Sequence, residues 1–569
     1  MKSLFPYLLL ILLCHPFAAQ SSDSPDSFSG VARIVAIGDV HGAHDAVLKL
    51  LRGNGLIDES DRWIGGDTHL VSLGDLLDRG RAVRPVLDLF MALQPQAEAA
   101  GGRVHVLLGN HELMNLMGDW RDVAPADLQS FAEGDQATAL AQRQQMLAPS
   151  GRYGRWLLEQ PILVRVNDTL FTHGGLPGLL LERTLSEHNE VARRDLRSAL
   201  EQAQALAEAS VIPAHSNLFE LAEQAAQPEE DPKLTALREL GQSAYWQDEG
   251  PLWYRGSSLC HGLVEADLTS SVLQHLNATS VVVGHSPTWN HQIRRRMAGR
   301  VWVADTGMLH AVYRGQPLAL EIRGDERQVR DANGQPLAFD DEQFAAYSEA
   351  DIRNEQAMLT SAKYTLATQP PEENGNGRAK LIDLSGESGA QTGQAWFWPM
   401  RKRNAGREEA AYMLDRLLGI GMVPTTIVTT FEGKNGVLQL LQPRVITEQV
   451  RLDRGLGFPN WCERGNNYQV VTAFDALVNQ RKRSVDNLAY SHRMTRIQLT
   501  EHGDAFGTAK QLPPTSVQPA LSMTLRGRLQ ALSQAQLEQR FGESLNKREV
   551  SALLKRRDAM LKWPALGGP

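Results

Sequence analysis

Aspartate, histidine and asparagine recur at the ends of three short apolar segments near the start of the chain. One segment leads into Gly38-Asp-Val-His-Gly42, a second into Gly74-Asp-Leu-Leu-Asp-Arg-Gly80, and a third into Gly109-Asn-His-Glu112. The segments are rich in aliphatic and β-branched residues, which is typical of buried strands. Because ligands bind at the carboxyl ends of strands in α/β sheets, we expect these polar side chains to share one site.

Two later apolar segments end in the same way. Thr169–Thr172 leads into His173-Gly-Gly175, and Ser280–Val283 leads into Gly284-His-Ser-Pro287. Together the five motifs supply carboxylate oxygens, an amide oxygen and imidazole nitrogens, a donor set suited to Mn, Fe or Zn. The predicted metal ligands are Asp39, His41, Asp75, Asn110, His173 and His285.

Two divalent ions at such a site are suited to the hydrolysis of phosphate esters. Ions about 3.5–4 Å apart activate a hydroxide for attack and neutralise charge on the attacking and leaving oxygens. His111 directly follows a predicted ligand, so we expect it over the site, with Asp78 holding its ring, in position to protonate the leaving group. Arg79 and Arg255 are expected to hold phosphoryl oxygens in the bidentate manner that arginine favours.

Strands and helices are predicted to alternate around these motifs. Apolar residues have helical spacing at 43–51 and at 83–93, directly after the first two motifs. The stretch at about 179–250 predicts a helical cap inserted into the domain. Asp305 follows a last strand, and both a structural role and support of a ligand histidine are open for it. The pattern predicts an α/β domain over residues 32–325.

The chain has 569 residues, enough for two or more hydrophobic cores. Residues 1–21 combine a basic start, a short apolar segment and small residues, which is typical of an export signal; an uncleaved anchor is the alternative. No other apolar segment is long enough to span a bilayer, so we expect a periplasmic or secreted protein with no stable membrane span after cleavage. Cys260 and Cys462 are expected to be buried thiols, with a single bridge between them as the alternative.

The ordered motifs resemble those of the phosphoprotein phosphatases, a family within the calcineurin-like metallophosphoesterases. The export signal, Leu252-Trp-Tyr-Arg-Gly256 and Asp305-Thr-Gly-Met308 make the chain most similar to the Shewanella-like protein phosphatases. The resemblance implies an αββα sandwich and a metal-dependent phosphoprotein phosphatase in which His111 and Asp78 act together. It also implies one metal ion on Asp39, His41 and Asp75, and a second on Asp75, Asn110, His173 and His285.

The substrate is predicted from family and compartment. The Shewanella-like branch resembles enzymes that favour phosphotyrosine or phosphothreonine peptides, whereas the nearest rival branch hydrolyses diadenosine tetraphosphate symmetrically. An exported chain would meet little dinucleotide, so we predict a phosphorylated protein or peptide as the substrate. The alternative from another class is a protein that binds phospho-ligands without turnover. The unbroken ligand set argues for the enzyme.

The second half of the chain differs in charge. Residues 400–569 carry 25 Lys and Arg against 15 Asp and Glu, whereas the whole chain has a net charge of −8. Attraction between the two halves, an acidic partner and plain solvated faces all stay open as explanations. Because no stacking aromatic residues accompany the basic clusters, we do not expect nucleic acid as a partner. The sequence does not indicate an oligomeric state.

The second half also has a fold pattern of its own. After a predicted linker at 326–344, a strand, helix and hairpin order indicates an α+β domain over 345–565. The block Glu408–Gly419, followed by Val-Pro, resembles the N-lobe of atypical kinases, namely the secretory-pathway kinases and the phosphatidylinositol-kinase-like domains. The resemblance implies that Trp398 stands where that family has its phosphate-binding lysine, and Lys482 where it has the catalytic aspartate.

Phosphoryl transfer needs a cation on the phosphates, carboxylates that hold metal, and a base. Tryptophan cannot supply the first, and a lysine reverses the charge required for the last, although Glu501 still offers a carboxylate. We therefore predict a kinase-like domain without catalytic activity that serves in recognition or regulation. An unrelated α+β appendage is the alternative.

Overall fold

The computed structural model describes residues 26–132, 138–224, 232–342, 344–367, 379–386, 391–441, 445–457, 464–491, 496–515 and 518–566. The predicted export signal and Cys462 lie outside these residues. Among the described helices, none combines the length and apolar character needed to cross a membrane.

The elements up to residue 341 follow the order of the motifs. The strands are β1 (Ser27–Phe28), β2 (Ile34–Ile37), β3 (His69–Ser72), β4 (Arg103–Val106), β5 (Leu163–Val166), β6 (Thr169–Thr172), β7 (Ser280–Val283), β8 (Arg294–Arg296), β9 (Val301–Val303), β10 (Ala319–Arg323), β11 (Glu326–Arg330), β12 (Pro336–Leu337) and β13 (Asp340–Asp341). The helices are α1 (His44–Gly53), α2 (Val83–Ala99), α3 (Asn110–Leu116), α4 (Pro125–Phe131), α5 (Ala139–Leu147), α6 (Arg152–Leu157), α7 (Leu185–Glu208), α8 (Leu218–Gln224), α9 (Pro232–Gly241), α10 (Gly256–Leu259), α11 (Gly262–His275) and α12 (His310–Tyr313).

These strands form two sheets that pack face to face. One has the order β12-β11-β10-β2-β3-β4 and the other the order β1-β5-β6-β7-β9-β8-β13. Alternate residues of a strand point to opposite faces. Accordingly Ala36 of β2 joins Phe171 and Val282 in the core between the sheets, whereas Val35 and Ile37 pack in the core that holds the helices. The first half is therefore the α/β sandwich that the motifs predict.

The segment 326–344, predicted as a linker, instead contributes strands to both sheets. β11 pairs with β10, β12 pairs with β11, and β13 runs parallel to β8. Within β11 only Val329 is fully buried. A strand with so few buried residues gives almost no apolar alternation, which explains why the linker prediction was wrong.

The second half combines a larger antiparallel sheet, a small sheet and helices. Its strands are β14 (Lys363–Leu366), β15 (Lys380–Ser385), β16 (Gln391–Pro399), β17 (Thr426–Phe431), β18 (Lys434–Leu440), β19 (Ile446–Thr447), β20 (Leu488–Ser491) and β21 (Arg496–Leu499). Its helices are α13 (Glu349–Thr360), α14 (Lys402–Leu417), α15 (Glu448–Asp453), α16 (Arg464–Val478), α17 (Met523–Ala531), α18 (Gln534–Phe541) and α19 (Lys547–Met560). The sheets have the orders β14-β15-β16-β18-β17 and β19-β20-β21.

Helix α11 joins the two halves. Leu263 and Val264, in its first turn, are buried in the apolar core of the second half. His261 caps the helix, since its Nδ1 accepts a hydrogen bond from the Leu263 amide, and its Nε2 donates to the Ile420 carbonyl at 2.8 Å. Farther along, the Asp267 carboxylate accepts from the backbone N–H of Met523 at 2.5 Å. The two halves therefore share part of one core.

Cys260 lies directly before this helix and is disulfide-bonded. The expectation of a buried free thiol is therefore wrong for Cys260. Spacing alone gave no reason to prefer the bridge, because two cysteines far apart in sequence define no framework.

Candidate active site

Asp75, just after β3, lies at the centre of the predicted site. Its Oδ2 is 3.5 Å from His41 Nε2 and 3.8 Å from His111 Nε2, while its Oδ1 is 3.3 Å from His173 Nε2. Two groups of possible metal ligands share this carboxylate, namely His41, Asp75 and His111, and Asp75, His173 and His285. All five side chains are buried. A carboxylate shared by two donor groups is suited to bridge two ions.

Asn110 and Asp39 complete the predicted ligand set. Asn110 Oδ1 lies 2.9 Å from His173 Nε2. The Asp39 carboxylate accepts from the backbone N–H of His285 at 2.9 Å and 3.1 Å. Nδ1 of His285 lies 3.2 Å from His173 Nε2, so this ring nitrogen faces the cluster. The structure thus brings all six predicted ligands together.

The rings of His41 and His173 present their Nε2 atoms to the cluster in neutral form. Nδ1 of His41 lies 2.8 Å from the Leu77 carbonyl, and Nδ1 of His173 lies 2.7 Å from the Leu73 carbonyl. These bonds place the ring proton on Nδ1 and a lone pair on Nε2. Burial lowers the pKa of His41 to about 3 and also lowers the pKa of His173. Neutral imidazole is the form that binds metal.

Crowded carboxyl groups also fit a cation. Burial, together with the nearby charges of Asp305 and Asp75, raises the pKa of Asp39 well above its usual range. Burial likewise raises the pKa of Asp305 to about 6. Divalent ions would remove this repulsion, so the donor set fits the predicted metal centre. Asp305 lies beside Asp39 and bonds the Gly307 N–H at 2.9 Å, rather than supporting a ligand histidine.

The loops that carry the site are held in a conformation that L-residues seldom adopt. Positive φ angles occur at His41 (47°), Asp75 (51°), Asp78 (67°), Arg79 (61°) and His285 (64°). Each such residue costs free energy and persists only where its surroundings enforce the conformation. Here the enforcement is partly direct, since the His41 amide donates to the Asp75 carbonyl at 2.8 Å. The strained backbone conformations therefore occur at residues that the sequence predicts to bind metal, to orient His111 or to bind phosphate.

His111 and Asp78 form the expected pair. His111 Nδ1 lies 2.7 Å from Asp78 Oδ2, and both side chains are buried. Asn115 Nδ2 donates to Asp78 at 2.8 Å, and the buried Arg143 donates to it at 3.2 Å. Burial opposes a charged His111 ring, but the Asp75 charge and the Asp78 bond outweigh it and raise the pKa of His111. A protonated ring beside the metal ligands can serve as a general acid.

Both predicted phosphate-binding arginines reach the site. Arg79 donates from Nη2 to Asp122 Oδ2 at 3.1 Å and from Nη1 to the Tyr313 hydroxyl, and Nη1 also lies 3.1 Å from His41 Nε2. Its side chain is 32% exposed. Arg255 donates to the His285 carbonyl at 2.5 Å and to Ser286 Oγ at 3.2 Å. Burial lowers the pKa of Arg255. The two guanidinium groups thus approach the cluster from separate segments.

Some functional side chains escaped sequence reasoning. Glu112 accepts from the backbone N–H groups of Gly109 at 2.7 Å, Asp75 at 2.8 Å and Leu76 at 2.7 Å, and so ties two motifs together. Its place in the third motif was the available signal. Arg143 and Tyr313 lie on helices without a motif, so no local pattern pointed to them.

Comparisons with known proteins agree with this geometry. A family model described as calcineurin-like phosphoesterase matches residues 32–289. An uncharacterized protein of Schizosaccharomyces pombe is 31% identical over 293 residues, which cover 51% of this chain and 76% of the relative. Shewanella-like protein phosphatase 1 of Plasmodium berghei is 28% identical over 308 residues, covering 54% and 75%.

Two further matches carry phosphatase names. Shewanella-like protein phosphatase 2 of Arabidopsis thaliana is 33% identical over 213 residues, covering 31% of this chain and 54% of the relative. The crystal structure of a cold-active protein-tyrosine phosphatase from a psychrophilic Shewanella species matches at 28% identity, with a TM-score of 0.43, over 56% of this chain and 83% of that one. From the family match and the coverage of its relatives, this chain belongs to the calcineurin-like metallophosphoesterases, with Shewanella-like protein phosphatases among its homologues.

Proposed function

We propose that this chain is an exported, metal-dependent phosphatase that hydrolyses phosphotyrosine and phosphothreonine peptides. The observation that carries the proposal is the Asp75 carboxylate, which lies within reach of His41, His111 and His173, with His111 held by Asp78. Two relatives are named protein phosphatases, which supports a phosphorylated protein or peptide as the substrate.

The roles of the side chains follow from their positions. Arg79 and Arg255 hold phosphoryl oxygens, since charge-assisted bonds from arginine suit phosphate geometry. Divalent ions, when bound by the six ligands, lower the pKa of the attacking water and neutralise phosphoryl charge. His111 gives its Nε2 proton to the leaving oxygen, while Asp78 accepts from Nδ1–H and keeps the ring oriented. Glu112 keeps the motif loops in register through its backbone bonds.

The test is hydrolysis by the full mature chain supplemented with Mn. A phosphotyrosine peptide, a phosphothreonine peptide and diadenosine tetraphosphate are offered in parallel, with His111→Asn as the control variant. Phosphopeptide turnover that is lost in the control is the expected result. Turnover of the dinucleotide alone would move the chain to the rival hydrolase branch. Bound metal without any turnover would favour a phospho-ligand binding protein.

Export is the compartment proposal that residues 1–21 support. The N-terminus of the protein purified from its native host identifies the compartment. Cleavage after the apolar segment, with recovery in the periplasmic or secreted fraction, is expected. An intact N-terminus in the soluble cell interior would contradict it.

We also propose that the second half is a kinase-like domain without catalytic activity. Trp398 lies on β16 of the antiparallel sheet, where the resemblance to atypical kinases implies a lysine. Lys482, in place of a catalytic aspartate, pairs with Asp504 at 2.6 Å. Glu408 on α14 accepts from the Gly503 N–H at 2.7 Å. These side chains leave neither a phosphate-binding cation nor a base in the positions that phosphoryl transfer needs.

The shared core at α11 supports a regulatory role for this second half. Residues that begin α11 follow Arg255 by a few positions, and Tyr254 donates to Glu265 of the same helix at 2.8 Å. Movement of the second half would therefore reach the segment that carries Arg255. The test is phosphatase KM for a phosphopeptide in Leu263→Ala, which thins the shared core, with the exposed Leu181→Ala as the control. A raised KM is expected, and an unchanged KM would contradict the coupling.

A further inference from the structure

Tyr313, the last residue of α12, lies inside the site without any assigned role. Its hydroxyl accepts a hydrogen bond from Nη1 of Arg79. Its ring stacks on His41, with ring centroids 5.7 Å apart and planes 29° apart. Tyr313 therefore touches both a predicted phosphate-binding residue and a predicted metal ligand.

The approach of α12 to the site depends on a glycine. Gly307 has a φ angle of 68°, and a Cβ at this position would lie 2.6 Å from Tyr313 Cβ. Any side chain larger than hydrogen would push Tyr313 away from Arg79 and His41. The absence of a side chain at Gly307 therefore allows Tyr313 to pack against the predicted metal ligands.

The hydroxyl of Tyr313 retains a donor that Arg79 cannot use. A tyrosine hydroxyl has one O–H donor and two acceptor lone pairs, whereas a guanidinium only donates. The bond from Arg79 therefore occupies a lone pair and leaves the O–H free to donate elsewhere. A phosphoryl oxygen held by Arg79 would lie next to this proton, because the phosphoryl oxygen and the Tyr313 hydroxyl would both accept hydrogen bonds from the Arg79 guanidinium. Phosphoryl oxygens accept such charge-assisted bonds strongly.

We propose that Tyr313 contacts the substrate directly and donates a hydrogen bond to the phosphoryl oxygen that Arg79 also holds. This inference rests on the proposed phosphatase function, which supplies the phosphoryl group. It adds a neutral donor to the two arginines. Tyr313 is not the group that orients Arg79 by itself, since Asp122 accepts from Nη2 at 3.1 Å and Nη1 also lies 3.1 Å from His41 Nε2. The tyrosine hydroxyl therefore serves the ligand.

The test compares wild type, Tyr313→Phe and, as a matched control on the same short helix, Val312→Ala, whose side chain is 50% exposed. Binding of inorganic phosphate to the Mn-loaded full chain is measured by calorimetry, and kcat/KM is measured with a phosphopeptide. Removing one hydrogen bond to a charged group should weaken phosphate binding and lower kcat/KM by about 10- to 100-fold. Metal content and melting temperature should stay at wild-type values, and Val312→Ala should match wild type.

Different results separate this inference from the function on which it rests. Equal or tighter phosphate binding by Tyr313→Phe, in a chain that hydrolyses phosphopeptides, would overturn the inference and make Tyr313 an obstacle to substrate. Weaker phosphate binding by Tyr313→Phe, in a chain that hydrolyses no phosphoester, would uphold the inference and overturn the proposed function.

Discussion

The candidate active site around Asp75 and the region around Lys482 in the second half both contain several charged side chains. The two regions differ in how these side chains are arranged. Around Asp75 the donors converge, and Nδ1 of His285 lies 3.2 Å from Nε2 of His173. In the second half the charges face one another, with Arg483 bonded to Asp475 at 2.7 Å and Lys482 to Asp504 at 2.6 Å. Donors that converge on one point can bind a ligand. Charged side chains that already form ion pairs with one another are not available to bind one.

Backbone conformation supports the same contrast at the motif residues. Left-handed φ angles occur at His41, Asp75 and His285, all of which are predicted ligands. In the second half Glu501 also has a positive φ, of 60°, and the backbone N–H of Gly503 donates to the Glu408 carboxylate at 2.7 Å. Strain thus coincides with converging donors in the first site, whereas in the second half it lies next to a carboxylate that already accepts a backbone hydrogen bond.

Asp75→Asn should have the largest effect on this comparison. The change removes the carboxylate that both donor groups share, so bound metal and phosphatase activity should be lost together. Changes outside the ligand set typically cost about 10–100-fold, and loss of a shared ligand should exceed that. Metal content by mass spectrometry and phosphopeptide turnover are measured on the same sample. Full activity with retained metal would refute the role of Asp75.

His111→Asn should come next. The variant should keep its metal and lose about 10²–10⁴-fold in turnover of phosphothreonine peptides, because the alkoxide leaving group needs a proton. A phenolic ester such as p-nitrophenyl phosphate, whose leaving group needs little protonation, serves as the internal control and should be affected less. Normal phosphothreonine turnover would exclude His111 as the acid.

Glu265→Gln tests helix α11, which joins the two halves, through the pH dependence of the stability of the protein. Burial raises the pKa of Glu265 to about 7, above the usual value of 4.5 for a glutamate. The folded state therefore holds this proton more tightly than the unfolded state. The stabilisation is complete below pH 4.5 and is lost as pH rises toward 7, by about 3 kcal/mol.

Melting temperatures between pH 4.5 and pH 8 measure this effect. The Gln variant should show a flatter pH profile than wild type, and the exposed Glu201→Gln should keep the wild-type profile. An unchanged slope in Glu265→Gln would show that the carboxyl ionises freely in the fold.

Lys482→Ala should have the smallest effect. The Lys482–Asp504 pair is solvent-exposed, with side-chain exposures of 74% and 55%. Exposed pairs contribute less than about 1 kcal/mol, so the melting temperature should hardly move. Phosphopeptide turnover should match wild type. A large loss of turnover would show that this pair takes part in the phosphatase reaction.

Motif-bearing residues were predictable because each stands at the end of an apolar strand, as for Asp75 after β3 and His173 after β6. Contacts made by elements without motifs were not predictable from the sequence. Arg143 and Tyr313, for example, reach the site only because helices distant in sequence pack beside it. Strand β11 was not predicted because Val329 is its one fully buried residue, which gives almost no apolar alternation. Asp305 follows a strand as predicted, but its partner Asp39 could be found only from the fold.

The central claim is that phosphoryl chemistry resides in the first half alone. Its most direct test measures both reactions on one preparation of the full chain with Mn and Mg present. Phosphate release from a labelled phosphopeptide and phosphate transfer from labelled ATP are compared in wild type, His111→Asn and Glu501→Gln. We expect phosphate release from the phosphopeptide to be lost only in His111→Asn, and we expect no phosphate transfer from ATP in any of the three proteins. Transfer in wild type that disappears in Glu501→Gln would contradict it.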